Sequence, residues 1–127
     1  MNVLLDTCAL LALVRGELPA PAARSLQAAP DAYVSVVSAW EVALKVAAGK
    51  IRLATSPIDW FEALTGRYDL RLIPLDARTA CVAAALPMVH RDPFDRILVA
   101  LARAQALTVL TSDDQIPKYP DVTTVWS

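Results

Sequence analysis

Residues 3–14 read VLLDTCALLALV. Val3, Leu4 and Leu5 have the length and composition of a short buried strand, and Leu10 to Val14 carry apolar residues at helical spacing. Asp6 therefore stands where a strand ends and a helix begins. In an open α/β sheet, ligands bind beyond the carboxyl ends of the strands, at such junctions. The same alternation recurs along the chain. Strands are expected at Tyr33–Val37, Leu70–Pro74, Leu107–Leu110 and Thr123–Trp126. Helical periodicity covers Ala20–Ala29, Ser38–Ala48, Ile58–Thr65, Ala77–Ala85 and Phe94–Gln105. Short apolar strands alternating with helices predict an α/β fold with a mostly parallel central sheet covered on both faces. Gly16, Gly49 and Gly66 stand where helices should end in left-handed caps.

With 127 residues, 56% of them hydrophobic and 20% charged, the chain has the apolar content for one core, and residues 1–127 are read as a single domain. Its longest apolar runs are interrupted by Asp6 and Cys8 and fall short of the about 20 residues a membrane-spanning helix needs. The N-terminus lacks the basic stretch and small-residue cleavage site of a secretory signal, so a cytoplasmic protein is expected. Cys8 and Cys81 lie far apart among apolar neighbours and read as two reduced core thiols. The formal net charge of −1 predicts no partner, because an acidic pocket and a basic surface can cancel in the sum.

The acids at strand-to-helix junctions carry the chemistry. Asp6 follows the first strand, and Asp113 follows Val109, Leu110, Thr111 and Ser112 in the same manner. Glu41 and Asp95 lie just inside helices. Four carboxylates on one rim repel one another, and keeping them ionised together calls for a compensating cation. Oxygen-only ligation favours Mg²⁺, with Mn²⁺ as a substitute, and a water activated by such an ion can attack a phosphodiester. Each acid also has a structural explanation. Asp6 can cap the helix from Thr7, and Asp113 can cap a turn toward Ile116. Ser38-Ala39-Trp40-Glu41 has the form of a capping box. Asp92 before Pro93 reads as an N-cap followed by a first-turn proline. Phe94, Ile97, Leu98 and Leu101 form the core-facing stripe of the next helix, and Asp95 flanks it. Asp95 is thus assigned to the metal, and Asp92, which capping explains, is kept as a candidate to support the metal ligands from behind.

The stretches VLLDTCALLAL (3–13), SVVSAWEVALKVAAGKIRL (35–53), HRDPFDRILVALA (90–102) and LTVLTSDDQI (107–116), with a final Val125-Trp126, together resemble the PIN-domain family, specifically the VapC-type toxins of bacterial toxin-antitoxin pairs. The resemblance spans nearly the whole chain. It implies a three-layer α/β/α sandwich, Mg²⁺-dependent endoribonuclease activity, a cognate antitoxin partner and a homodimer. The family's acids fall on Asp6, Glu41, Asp95 and Asp113, and Thr7, Ser38 and Thr111 match hydroxyl positions that support them.

Two other functions compete: a PIN-type nuclease in RNA processing outside a toxin pair, and a non-catalytic module that keeps the fold only to bind a partner. A phosphatase with an aspartyl nucleophile at Asp6 is disfavoured, because the haloacid-dehalogenase-like pattern wants a second Asp where Cys8 stands. His90, the single histidine, reads as a loop residue at the start of the Asp92 helix. Lys45 reads as an i,i+4 partner of Glu41. Arg91 and Arg96 are the phosphate-binding candidates, and Trp40, Trp60 and Phe61 read as core or dimer-interface residues.

Overall fold

The computed structural model describes all 127 residues. Its central strand is β1 (Val3–Leu5), paired in parallel with β2 (Ala32–Ser35) on one side and β4 (Thr108–Leu110) on the other. The edge strands β3 (Leu70–Ile73) and β5 (Thr123–Val125) complete an all-parallel sheet of order β3-β2-β1-β4-β5. The chain builds outward from β1 to β2 to β3, then returns past β1 to lay down β4 and β5. The direction of growth reverses between β1 and β4, and the crevice beyond their carboxyl ends is the switch point where such sheets bind ligands.

Strand alternation sends β1 side chains to two cores. Val3 and Leu5 pack with Ala9 and Leu10 of α1 (Thr7–Arg15) and with Phe61 and Leu64 of α4 (Pro57–Arg67). Leu4 points the other way, toward Leu98, Leu101 and Ala102 of α6 (Pro93–Gln105). The registered neighbours keep the same sides, with Val109 joining the Leu4 core and Leu110 the Leu5 core. Helices on both faces of one sheet give the three-layer α/β/α sandwich. The Ala-rich α2 (Ala20–Ala28) adds Leu26 to the first core, and α5 (Ala77–Ala85) packs outside α6 through Ala83. The helix α3 (Val36–Ala47) leans on α4 and α6. Each fully buried Leu contributes roughly 1.5–3 kcal/mol of transfer free energy, so the two cores hold the layers together.

Several local expectations need correction. β2 ends at Ser35, and α3 starts at Val36 rather than Ser38, because the Ser35 hydroxyl caps the helix by accepting from Val37 N–H at 3.0 Å. The β-branched pair Val36-Val37 has strand composition but helical conformation. Gly16 and Gly49 take positive φ of 70° and 74° as expected, whereas Gly66 lies inside α4, and the left-handed residue after that helix is Asp69 at φ 53°. Cys8 and Cys81 are free thiols on exposed helix faces, not core residues. Leu10 and Ala83 take the buried sides of their helices instead. Phe61 is core and Trp60 packs against it half-buried, but Trp40 is 59% exposed. No helix is long and apolar enough to cross a membrane.

Candidate active site

Asp6 sits at the end of β1 as the N-cap of α1, its Oδ1 accepting from Ala9 N–H at 2.7 Å, and its own N–H donates to Leu110 O of β4. The residue is 2% exposed. Capping and a place in the crevice are therefore not alternatives for Asp6. One oxygen serves the helix, and the carboxylate still lines the cavity. Asp113 is arranged similarly. Its N–H is tied to Thr111 Oγ1 at 3.0 Å, and its Oδ1 accepts from Gln115 and Ile116 N–H. Its Oδ2 is left to face His90.

Glu41 and Asp95 reach the same place from α3 and α6. The capping box expected for Ser38 and Glu41 does not form, because Ser35 is the cap and Ser38 is already the third residue of the helix. Ser38 Oγ instead accepts from Thr7 Oγ1 at 3.1 Å, fastening the start of α1 to α3. Freed from the cap, Glu41 pairs with Lys45 at 3.2 Å, as the i,i+4 spacing predicts. Asp92 is the N-cap of α6, accepting from Phe94 N–H at 2.9 Å, as read from its sequence. Asp6, Glu41, Asp92, Asp95 and Asp113 all line one cavity of about 210 Å³, and Lys45 is the single cation on its wall.

His90 is more than a loop residue. Its Nε2 lies 3.0 Å from both Asp95 Oδ2 and Asp113 Oδ2, joining α6 to the end of β4. Its Nδ1 accepts from Asp92 N–H at 3.2 Å, so the hydrogen-bond network assigns the ring hydrogen to Nε2, where it can donate to the two acids. Burial opposes a charged imidazole. The hydrogen bond to Asp113 and the negative charges of Asp113, Asp95 and Asp92 outweigh it and hold the His90 pKa above its usual value. No sequence signal marks this role, because Asp113 lies 23 residues further along the chain and only the fold brings it to the imidazole. Replacing His90 by Ala is expected to weaken Mn²⁺ binding by about ten- to a hundredfold, the usual cost of losing a group that orients ligands, with the melting temperature little changed. Calorimetric titration reads this directly, and an unchanged affinity would refute it.

The basic residues divide differently from expectation. Arg96 is not a phosphate ligand: it is 7% exposed, and its guanidinium is spent inside the protein. Nη2 donates to the carbonyls of Ala83, Ala84 and Leu86, and Nη1 to those of Pro87 and His90 and to the Tyr119 hydroxyl. Arg91 remains exposed.

The electrostatics favour a divalent cation. Burial, helped by the charges of Asp113 and Glu41, pushes the Asp6 pKa up to about 6 against the hydrogen bonds from Thr111 and Ala9. Burial and the charges of Asp92 and Asp113 push Asp95 up to about 7. Asp113 stays below its usual value, because His90 and the N–H groups of Gln115 and Ile116 outweigh its own partial burial. Two of the carboxyls therefore lack the positive charge that would ionise them fully at neutral pH. The donors are predominantly carboxylate oxygens, which suits a hard ion such as Mg²⁺ or Mn²⁺. One oxygen each of Asp95 and Asp113 lie within 4.8 Å of each other and of the His90 Nε2 that holds them together.

Comparison with known proteins bears on the fold and the family. The chain is 27% identical over 108 residues to Ribonuclease VapC22 of Mycobacterium tuberculosis, covering 83% of this chain and 82% of that protein. It superposes on the crystal structure of VapBC2 from Rickettsia felis bound to a promoter DNA fragment with a TM-score of 0.71 and 14% identity, covering 100% of both chains. A toxin-antitoxin complex from Klebsiella pneumoniae gives a TM-score of 0.67 and 22% identity, covering 96% of each chain. Residues 3–122 match the PIN domain, so the chain belongs to the PIN-domain family.

Proposed function

We propose that this protein is a divalent-metal-dependent endoribonuclease and the toxin of a toxin-antitoxin pair. The observation that carries the reading is the convergence of Asp6, Glu41, Asp95 and Asp113, from four separate segments, on one cavity at the switch point of the sheet. Those four side chains would hold Mg²⁺, or Mn²⁺ in its place. The ion would supply charge neutralisation at the phosphodiester and acidify a water for attack. The chain's own residues do the positioning. The caps at Asp6 and Asp113 fix two carboxylates on rigid strand ends, His90 draws Asp95 and Asp113 together, and Lys45 steadies Glu41. The similarity to a ribonuclease and to chains of toxin-antitoxin complexes supports an RNA substrate and an antitoxin partner. A growth arrest on inducing this protein alone, relieved by the product of a neighbouring gene, tests the toxin role. Arrest-free growth at confirmed expression favours a nuclease outside any toxin pair.

The cleavage assay separates ligand from cap. Purified protein is expected to cut RNA with Mg²⁺ or Mn²⁺ and to stop in EDTA. Glu41→Gln removes an anionic ligand, together with a partly exposed pair to Lys45 worth at most about 1 kcal/mol. It should melt near the wild type and cleave at least about a hundredfold more slowly. Asp92→Asn keeps a good N-cap and should retain both stability and most activity. Single-turnover rates and melting curves for the pair decide the matter. Full activity in Glu41→Gln would remove Glu41 from the site, and a stable but inactive Asp92→Asn would add Asp92 to it.

A further inference from the structure

Two aromatic residues stand directly before two of the acids, Trp40 before Glu41 on α3 and Phe94 before Asp95 on α6. Their rings meet edge to face, with centroids 5.2 Å apart and planes at 71°, spanning the gap between the helices that carry those acids. Phe94 is half-buried. Trp40 keeps 59% of its surface in solvent. A helix-to-helix clamp needs only the contact with Phe94 and gains nothing from so large an exposed indole, whereas a recognition surface does.

The charges around the cavity point to what that surface meets. A phosphodiester approaching the acids finds Lys45 already held by Glu41 and Arg96 buried among carbonyls, which leaves Arg91 as the exposed cation of this segment. With Lys45 the one cation lining the cavity and already paired with Glu41, the site calls for another source of affinity for a nucleic-acid chain, one that does not depend on phosphate charge. Aromatic faces supply this for unpaired bases, whatever their identity.

We propose that Trp40, steadied edge-on by Phe94, is a stacking platform for an unpaired RNA base beside the cleaved phosphodiester. The platform makes the site selective for single-stranded segments, since a base held in a duplex cannot leave its neighbours to lie on the indole. This inference rests on the ribonuclease reading and adds a specificity residue to it. A second copy of the chain could cover the same indole, and the experiment distinguishes the two.

The test uses the full-length protein with Mn²⁺ and an RNA oligonucleotide, single-stranded or annealed to its complement. Wild type should cut the single strand and spare the duplex. Trp40→Ala should raise KM about five- to a hundredfold, in line with the loss of one base–aromatic stack, with kcat within about threefold. Trp40→Phe, which keeps an aromatic face, should recover most of the affinity. An abasic nucleotide next to the cut should raise KM for wild type by a similar factor, but add little to Trp40→Ala. In the Glu41→Gln background, RNA should quench tryptophan emission, and Trp40→Phe should remove that quench while Trp60 and Trp126 still emit. An unchanged KM in a folded Trp40→Ala overturns the proposal. So does a KM rise that comes with loss of a dimer in sedimentation and disappears at high protein concentration, which assigns the indole to a second copy. Wild-type cleavage with Trp40-independent KM leaves the ribonuclease reading standing. Wild-type protein that neither cuts RNA nor is quenched by it removes both.

Discussion

Asp6→Asn is expected to abolish RNA cleavage while leaving the metal-free protein at least as stable as the wild type. The two effects come from one cause. Asp6 is held on a rigid strand end with 2% exposure, and burial pushes its carboxyl up to about 6 from an ordinary 3.8. A carboxyl whose pKa is raised by folding stabilises the folded state only while protonated. That contribution is complete below the unfolded pKa and is lost as pH rises through about 6. At pH 7.5 the ionised, metal-free site is therefore a burden on the order of 3 kcal/mol. Asparagine is as good an N-cap as aspartate and never ionises, so it escapes this burden. It also cannot offer the negative charge a divalent cation requires. Cleavage should fall at least about a hundredfold, since a ligand is lost. Thermal melts in chelator should show Asp6→Asn above the wild type at pH 7.5, with the gap closing toward pH 4. A variant less stable than wild type at pH 7.5 would refute the electrostatic account, and a fully active one would refute the site.

Replacing Arg96 by Ala is expected to be the most destabilising single change near the site. The guanidinium joins the end of α5 and the 86–90 segment to α6, through the carbonyls of Ala83, Ala84, Leu86, Pro87 and His90. No carboxylate is within ion-pair distance of it among the salt bridges of the molecule. The carbonyl dipoles at the end of α5 take that part, the negative pole of a helix facing a cation. Truncation leaves several carbonyls without donors in a buried space. Each unsatisfied group costs about 1–3 kcal/mol, so a total loss of at least about 3 kcal/mol is expected after relaxation and water entry. The effect should extend to function, because the same segment carries His90 to Asp95 and Asp113. Arg96→Lys should recover only part of the stability, since one ammonium cannot span the carbonyls of two segments. Denaturant unfolding of both variants measures this. A loss under about 1 kcal/mol in Arg96→Ala would show that water replaces the guanidinium freely.

The layered architecture and the set of candidate acids are legible in the sequence, for a local reason. Period-two and period-3.6 patterns record which side of each element is buried, and an acid immediately after a short apolar run marks a strand's carboxyl end. Asp6 and Asp113 are found in this way from a few neighbouring residues. Asp95 follows from its position beside the Ile97, Leu98 and Leu101 stripe. The same local patterns mislead where two conformations share one composition. Val36-Val37 has the residues of a strand and the dihedrals of a helix, and Ser35 and Ser38 both have a hydroxyl able to cap.

Only the tertiary structure chose Ser35 as the cap and so released Glu41 from Ser38 toward the cavity. Only the strand order put β1 beside β4, so that Asp6 and Asp113 share a crevice. The roles of His90 and Arg96 were equally hidden. Their partners are carboxylates and backbone carbonyls contributed by other segments, and a carbonyl acceptor leaves no mark in the identity of its residue. Periodicity can say which face of an element is covered. What covers it, and which polar groups meet across the join, is fixed by long-range packing that no single stretch of the chain contains.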